Sequence, residues 1–558
     1  MMNQNSKARP HFRFLAGIPA ILLLFWGMEV VSCGGGSSSG TSTPPSNNPP
    51  PSLQGSDVLT YHDDNARTGQ NLKETTLTTS NVNPTNFGLL FTIPADGKVD
   101  AEPLYAANVT VNQAAHNVLF VETEHGTAYA VDADSGSVLW QISTLQSGET
   151  PSDNHGCSQI SPEIGITDTP VIDRNAGSHG IIYMVAMSKD GAGKYHQRLH
   201  ALDLTTGAEE LGGPKEVQAT YSGTGDNSSG GMVVFDPAKY AERAGLLLLN
   251  GAIYTAWTSH CDGRPYTGWV MSFDQATLAQ KSVLNLTPNG NEGAVWMSGA
   301  GLAADSSGNI FLLDANGQFD TTLDANGFPS QGDYGNAFVK LSTTNNQLAV
   351  ADYFEMFNQA AENGSDRDLG SGGALLLPDL ADNSGKTWHL AAGAGKDGNL
   401  YVVDRDNMGK FNASSNNIYQ ELDGALPGGI WAMPAYFNNV VYYGPVGSPL
   451  RAFSISNAKL STSPTSQSPS SFQYPGCIPS VSANGTNSGI VWAAENSSPA
   501  VLHAYDAGDL SHELYNSNQA ANGRDHFGSG NKFITPMIAG GKVYVGTTNG
   551  VGVFGLLH

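Results

Sequence analysis

The chain has 558 residues, only 14% of them charged, and a formal charge of −24. So few Glu, Lys and Arg exclude an architecture of long surface helices, and so acidic a surface repels phosphate backbones, which excludes nucleic acid as a partner. Abundant Gly, Asn, Ser and Thr beside Val, Tyr and Phe suit short strands joined by many turns, with a core built by repetition.

At the N-terminus, Lys7, Arg9 and Arg13 precede an apolar run from Leu15 to Val31, broken by Pro19 and Glu29. A basic start and a short apolar core predict a secretory signal over residues 1–32 rather than a spanning helix. The run ends Val30-Val31-Ser32-Cys33, which resembles the lipobox of bacterial lipoproteins. That resemblance implies acylation of Cys33 and an exported protein held in the cell envelope, on the periplasmic or surface face of the outer membrane, which the lipid makes its membrane partner. Residues 33–54 are rich in Gly, Ser and Pro and read as a tether, and residues 55–558 as the folded domain.

Strand openings then recur along the chain. They are Glu102-Pro103-Leu104-Tyr105, Thr169-Pro170-Val171-Ile172, Gly231-Met232-Val233-Val234 and Gly301-Leu302-Ala303-Ala304. Gly373-Ala374-Leu375-Leu376, Met433-Pro434-Ala435-Tyr436, Ile478-Pro479-Ser480-Val481 and Thr535-Pro536-Met537-Ile538 follow. In the first unit, Val118 to Val121 and Thr127 to Val131 read as strands. Asp132 to Gly136 read as a tight turn, and Val138 to Trp140 as the start of a fourth strand. Ala130, Asp132, Gly136 and Trp140 resemble the core of the pyrroloquinoline-quinone (PQQ) type repeat. Ala201, Asp203 and Gly207 repeat it with Leu211 in place of Trp, and Ala504 and Asp506 repeat it in part. The resemblance implies an all-β fold, a β-propeller of four-stranded blades. Eight blades are expected; the alternative is seven, with the Gly301 or Met433 unit as an insert. The longest insert is expected between Phe311 and Lys340. The last unit stops after its third strand, so Phe87 to Ile93 are expected to return as the fourth and close the ring.

An oxidising compartment allows one disulfide among Cys157, Cys261 and Cys477. The first two lie in polar segments beside a His, and Cys477 opens an apolar strand, so Cys157 is expected to pair with Cys261.

The resemblance also raises an activity. Quinoprotein alcohol dehydrogenases hold PQQ and calcium at the propeller centre, the quinone lying between a Trp and a ring closed by adjacent cysteines. This chain has neither a Cys-Cys pair nor a C-x-x-C-H haem motif. Polar residues ahead of the inner strands are the candidate funnel ligands: Glu102, Glu163, Asp168, Trp296, Arg367, Asp368, Trp431, Arg524, Asp525 and His526. His125 and His503 read as structural. Asp314, Asn316 and Asp320 are a calcium candidate at suitable spacing, though the segment reads first as a turn. The expected function is a cell-envelope scaffold that binds a protein or small molecule at the propeller face. The alternative is a PQQ-dependent dehydrogenase of alcohols or sugars.

Overall fold

The computed structural model describes residues 57–557; Cys33, the signal and the tether lie outside the described residues. Strands dominate, and eight sheets share one plan of four antiparallel strands, in chain order except in the last, whose fourth strand comes from the start of the domain. The first runs Leu104–Val111, Ala114–Glu122, Thr127–Asp132 and Val138–Ser143. The later edge strands begin at Val171, Leu247, Ala303, Leu375, Ala435, Ser480 and Met537. The Gly301 and Met433 units each have a full sheet of their own.

One expected opening is misplaced. Met232–Val234 belongs to a separate three-stranded sheet with Thr220–Ser222 and Ser228–Ser229. The pair Gly230-Gly231, both at positive φ, makes a hairpin turn there and imitates a strand opening. The true edge strand of the third sheet is Leu247–Leu249, in a run of leucines with no Pro to announce it. The interval between Tyr195–Asp203 and Leu247–Leu249 is therefore the longer insert, not the one from Phe311 to Lys340.

The repeat motif works through contact between neighbouring sheets. Asp132 Oδ1 accepts from the backbone N–H groups of Asp134 and Ser135 and shapes the turn, and Gly136 takes φ +74°. Trp140 then reaches the next sheet, where its Nε1 donates to the Leu204 carbonyl at 3.0 Å. Its ring lies so close to Gly207 that a Cβ there would sit 2.8 Å from it. The last sheet repeats the device with a Phe. Phe87–Pro94 pairs antiparallel with Gly550–Leu556, and Phe91 lies against Gly136 as Trp140 lies against Gly207. Asp525 fastens this closing strand by accepting from Leu89 N and Tyr515 Oη, and the Arg524 guanidinium bonds both Asp525 and the Phe87 carbonyl.

Residues 58–71 solve a different problem. The edge strand of each sheet leaves backbone groups unpaired toward the channel, and buried backbone groups need partners. This segment bonds the second residue of every edge strand in turn. Val58 pairs with Tyr105, Leu59 O accepts from Ile172 N, and Asn65 Nδ2 donates to Leu248 O. Asn65 O, Ala66 O, Thr68 O and Gly69 O accept from Ala304, Leu376, Tyr436 and Val481, and Asn71 Nδ2 donates to Ile538 O. Arg67, fully buried, holds the segment in shape: Nε donates to Leu302 O, Nη2 to Leu246 O, and Nη1 to Thr60 Oγ1 and Tyr61 O. Burial pulls its guanidinium down to about 10, still charged at neutral pH.

Replacing Arg67 by Met keeps the stem and strands several buried carbonyls without donors. The expected loss is about 3 kcal/mol or more in urea-unfolding free energy. A midpoint and slope equal to those of the parent would show that the segment does not brace the ring.

Candidate functional site

The residues four positions ahead of the edge strands share one register. In chain order these are Asp100, Thr167, Arg243, Gly299, Ser371, Trp431, Gly476 and Phe533. Arg243, Trp431 and Phe533 line a cleft of about 180 Å³ with Trp296, Asp368 and Lys396, and the segment 58–71 spans the channel further along the same edge strands. Three cations in or beside the cleft each have an aromatic ring beneath them. Arg243 Cζ lies 4.7 Å from the Phe533 centroid, Lys396 Nζ 5.8 Å from Trp296, and Lys532 Nζ 5.7 Å from Tyr474. The rings also pack edge to face, Trp296 on Phe533 at 6.1 Å and Trp431 on Tyr474 at 6.0 Å.

The cations differ in how they are neutralised. Lys396 is held by Asp366 at 2.7 Å and Asp368 at 2.9 Å. Arg243 is only 4% exposed, and its Nε and Nη1 find no hydrogen-bond partner among the described residues. Burial and the neighbouring charges of Lys98 and Arg243 pull the Lys532 ammonium below its ordinary value. Arg243 is therefore a cation without a hydrogen-bond partner at these nitrogens, on a lining that also carries Asp262, Asp366 and Asp368.

The Cys157–Cys261 disulfide forms as expected, across a sequence separation of 104, and both cysteines line the cleft. Cys477 is a buried free thiol.

Of the sequence-expected site residues, the fold brings Trp296, Asp368 and Trp431 together in the cleft. Glu102 is buried against residues 58–71 and accepts from His62 N at 2.9 Å. Asp168 is buried between sheets, where Val185 N donates to it, and burial pushes its carboxyl up. Glu163 pairs with His125 at 3.0 Å. Arg367 is half-exposed, 3.7 Å from Glu362, and does not line the cleft. Arg524 and Asp525 clamp the closing strand, and exposed His526 borders a separate shallow depression beside Ser498 and Asn549. These three stand more than ten positions ahead of Met537, too far to reach the mouth from that strand.

Asp314, Asn316 and Asp320 do not converge on a cation. Asp320 accepts from Thr322 N, Ser330 Oγ and Gln331 N, while Asn316 bonds Asp366 and Asp368. Asp314 is buried, and burial holds its carboxyl well above the usual range. Among the described residues no three His, Cys, Asp or Glu side chains gather as a metal site. Sequence reasoning missed Arg243, Lys396, Lys532 and Phe533. The register four ahead of an edge strand would have found Arg243 and Phe533, but the misplaced third opening hid the first.

No family model and no curated protein matches the chain. Solved structures match in fold. A quinohemoprotein alcohol dehydrogenase from Comamonas testosteroni is 14% identical over 89% of this chain and 80% of its own, with a TM-score of 0.56. One from Pseudomonas putida HK5 is 13% identical over 90% of this chain and 80% of its own, with a TM-score of 0.57. A europium-containing methanol dehydrogenase is 13% identical over 88% and 90%, with a TM-score of 0.56. The chain has the PQQ-like β-propeller fold.

Asp63, on the segment crossing the channel, raises the Glu102 carboxyl's pKa, after burial itself. Burial, then Asp64, lifts Asp63 from 3.8 to about 8. The folded chain thus keeps this proton to higher pH than the unfolded chain does. The linked stability is full below 3.8 and is lost as the pH climbs to about 8. Asp63→Asn is expected to flatten the fall in melting temperature across that window; an unchanged pH profile would contradict the assignment.

Proposed function

We propose that this chain is a ligand-binding propeller, its eight sheets being eight blades, whose axial cleft takes a small polyanion with a flat ring. The observation that carries the reading is Arg243. An unpaired buried guanidinium is costly, and an anion that accepts from its Nε and Nη1 offsets that cost. Lys532 adds a second cation that neighbouring positive charge already disfavours. Trp296 and Trp431 offer faces to a ring.

PQQ, the ligand the fold family implies, is a ring with several carboxylates, and the donor set suits it. Arg243, Lys396 and Lys532 would hold its carboxylates, and Trp296 or Trp431 would lie against the ring. When bound, such a quinone supplies a two-electron acceptor for oxidising an alcohol or a sugar. The chain's own residues bind and orient the ring, with Trp296, Trp431, Phe533 and Ile160 in the apolar part of a lining that is otherwise largely polar. Asp368, ion-paired with Lys396, sets the charge of one wall.

A scaffold role would use other surfaces. Val234, in the added three-stranded sheet, and Phe357, ahead of the helix Gln359–Gly364, expose apolar side chains on inserts that a protein partner could cover. We place the chain in the cell envelope, exported and anchored through lipid on Cys33, on the strength of Val30-Val31-Ser32-Cys33 and the Gly/Ser/Pro stretch that follows. Cys33→Ser is expected to move the protein from the membrane fraction to the soluble one; a mutant that still sediments with membranes would remove the anchor.

Titration with PQQ, followed by tryptophan fluorescence and calorimetry, tests the cleft. Arg243→Ala is expected to weaken binding about 100-fold, and Trp296→Ala about tenfold. Equal affinity in Arg243→Ala, or no binding by the parent, would overturn the reading. Dye-linked alcohol oxidation by the PQQ-loaded protein separates an enzyme from a binder.

A further inference from the structure

The insert that carries Cys157 is built as an arm over the cleft. Its ascending strand Thr150–Asp153 extends the far end of Ile181–Lys189, with Lys189 opposite Thr150 and Ser188 opposite Pro151. Its descending strand Glu163–Ile164 pairs back on Ser152 and Asp153. Between them residues 154–162 leave the second sheet and cross to others. Cys157 is bonded to Cys261, in the connection between Ala252–Ser259 and Trp269–Asp274 of the third sheet. His155 stacks on His260 beside that bond, the rings 4.0 Å apart and 9° from parallel.

Across the cleft the attachments are of another kind. Lys532 Nζ donates to Ser158 O and to Gln159 Oε1, both at 3.3 Å, and Tyr474 Oη donates to Gln159 Oε1 at 3.4 Å. Lys532 and Tyr474 precede the eighth and seventh edge strands. The arm is thus covalent on one side and held by long hydrogen bonds on the other, and Cys157, Gln159 and Ile160 line the cleft beneath it.

We propose that residues 154–160 are a lid over the axial cleft, hinged covalently at Cys261 and clasped by Lys532 and Tyr474, and that an anionic ligand is admitted when this clasp releases. The ligand in this proposal rests on the anion-binding reading above; the lid itself does not. Lys532 is the link between the two. Its ammonium holds Ser158 and Gln159 and feels the positive charge of Arg243 in the cleft. An anion beside Arg243 attracts that ammonium away from two neutral acceptors held at long range, because a charged acceptor is the stronger one. The disulfide keeps the opened lid tethered, so it closes again without searching.

Hydrogen exchange of the full ligand-free chain tests the clasp. Lys532→Met and Gln159→Ala are each expected to speed exchange over residues 154–160 about tenfold, as loss of a weakly held local contact does, while the sheet amides stay unchanged. Association of PQQ, followed by tryptophan fluorescence, is expected to be about threefold faster in Gln159→Ala, which alters no charge. Unchanged exchange in both variants would overturn the lid, whatever PQQ does. Faster exchange with an unchanged PQQ association rate would overturn its role in admission. Faster exchange with no PQQ binding at all would sink the ligand reading and support the lid as a mechanical device.

Discussion

The structure depends on how the channel-facing edges of its sheets are satisfied. Each edge strand presents backbone N–H and C=O groups to the centre, where no further strand fits, and buried groups of that kind need partners. Residues 58–71 meet the same position of every edge strand with carbonyls, one backbone pair and two Asn side chains. Arg67 is what lets so short a segment bend through the channel. Its guanidinium collects carbonyls from the segment itself and from the connections into the third and fourth sheets.

Two of the outer turns obey a simpler rule. A turn shaped by Asp and Gly exposes flat backbone, and an aromatic ring from the previous sheet lies on it, as Trp140 does on Gly207. The ring closes by the same contact, with Phe91 on Gly136, so the N-terminal part of the chain supplies both the last strand and its docking residue. With inner edges and outer faces both satisfied by short-range contacts, the connections are free to lengthen. They carry the three-stranded sheet around Met232, the helix Gln359–Gly364 and the arm bearing Cys157.

Charge sets the character of the cleft. Of the two cations that line the cleft, Lys396 is neutralised by carboxylate partners, Asp366 and Asp368. Arg243 is buried without such a partner, and Lys532 stands close enough to feel its charge. Aromatic faces soften the cost of holding these cations without removing their demand for an anion. That demand, in a pocket walled by Trp296 and Trp431, is the chemical signature on which the functional reading rests.

The propeller was legible in the sequence because its signals are local. Asp132 and Gly136 shape a turn within five residues, Trp140 follows at fixed spacing, and the missing fourth strand of the last unit pointed directly to Phe87 to Ile93. The pairing of Cys157 with Cys261 was legible too, since polar context separated both from Cys477. The third edge strand was not, because Gly231-Met232-Val233-Val234 carries the same Gly-led pattern as Gly245-Leu246-Leu247-Leu248 and comes first in the chain. Nor was the cleft, apart from Trp296, Asp368 and Trp431. Arg243, Lys396 and Lys532 come from three different sheets, and of the three only Arg243 stands at the repeated register four ahead of an edge strand. Short-range hydrogen bonds and turn geometry are written in adjacent residues and determine the repeated unit. Which side chains meet at the mouth, which stay unpaired there, and which segment crosses the channel are set by ring closure, which brings together residues hundreds of positions apart.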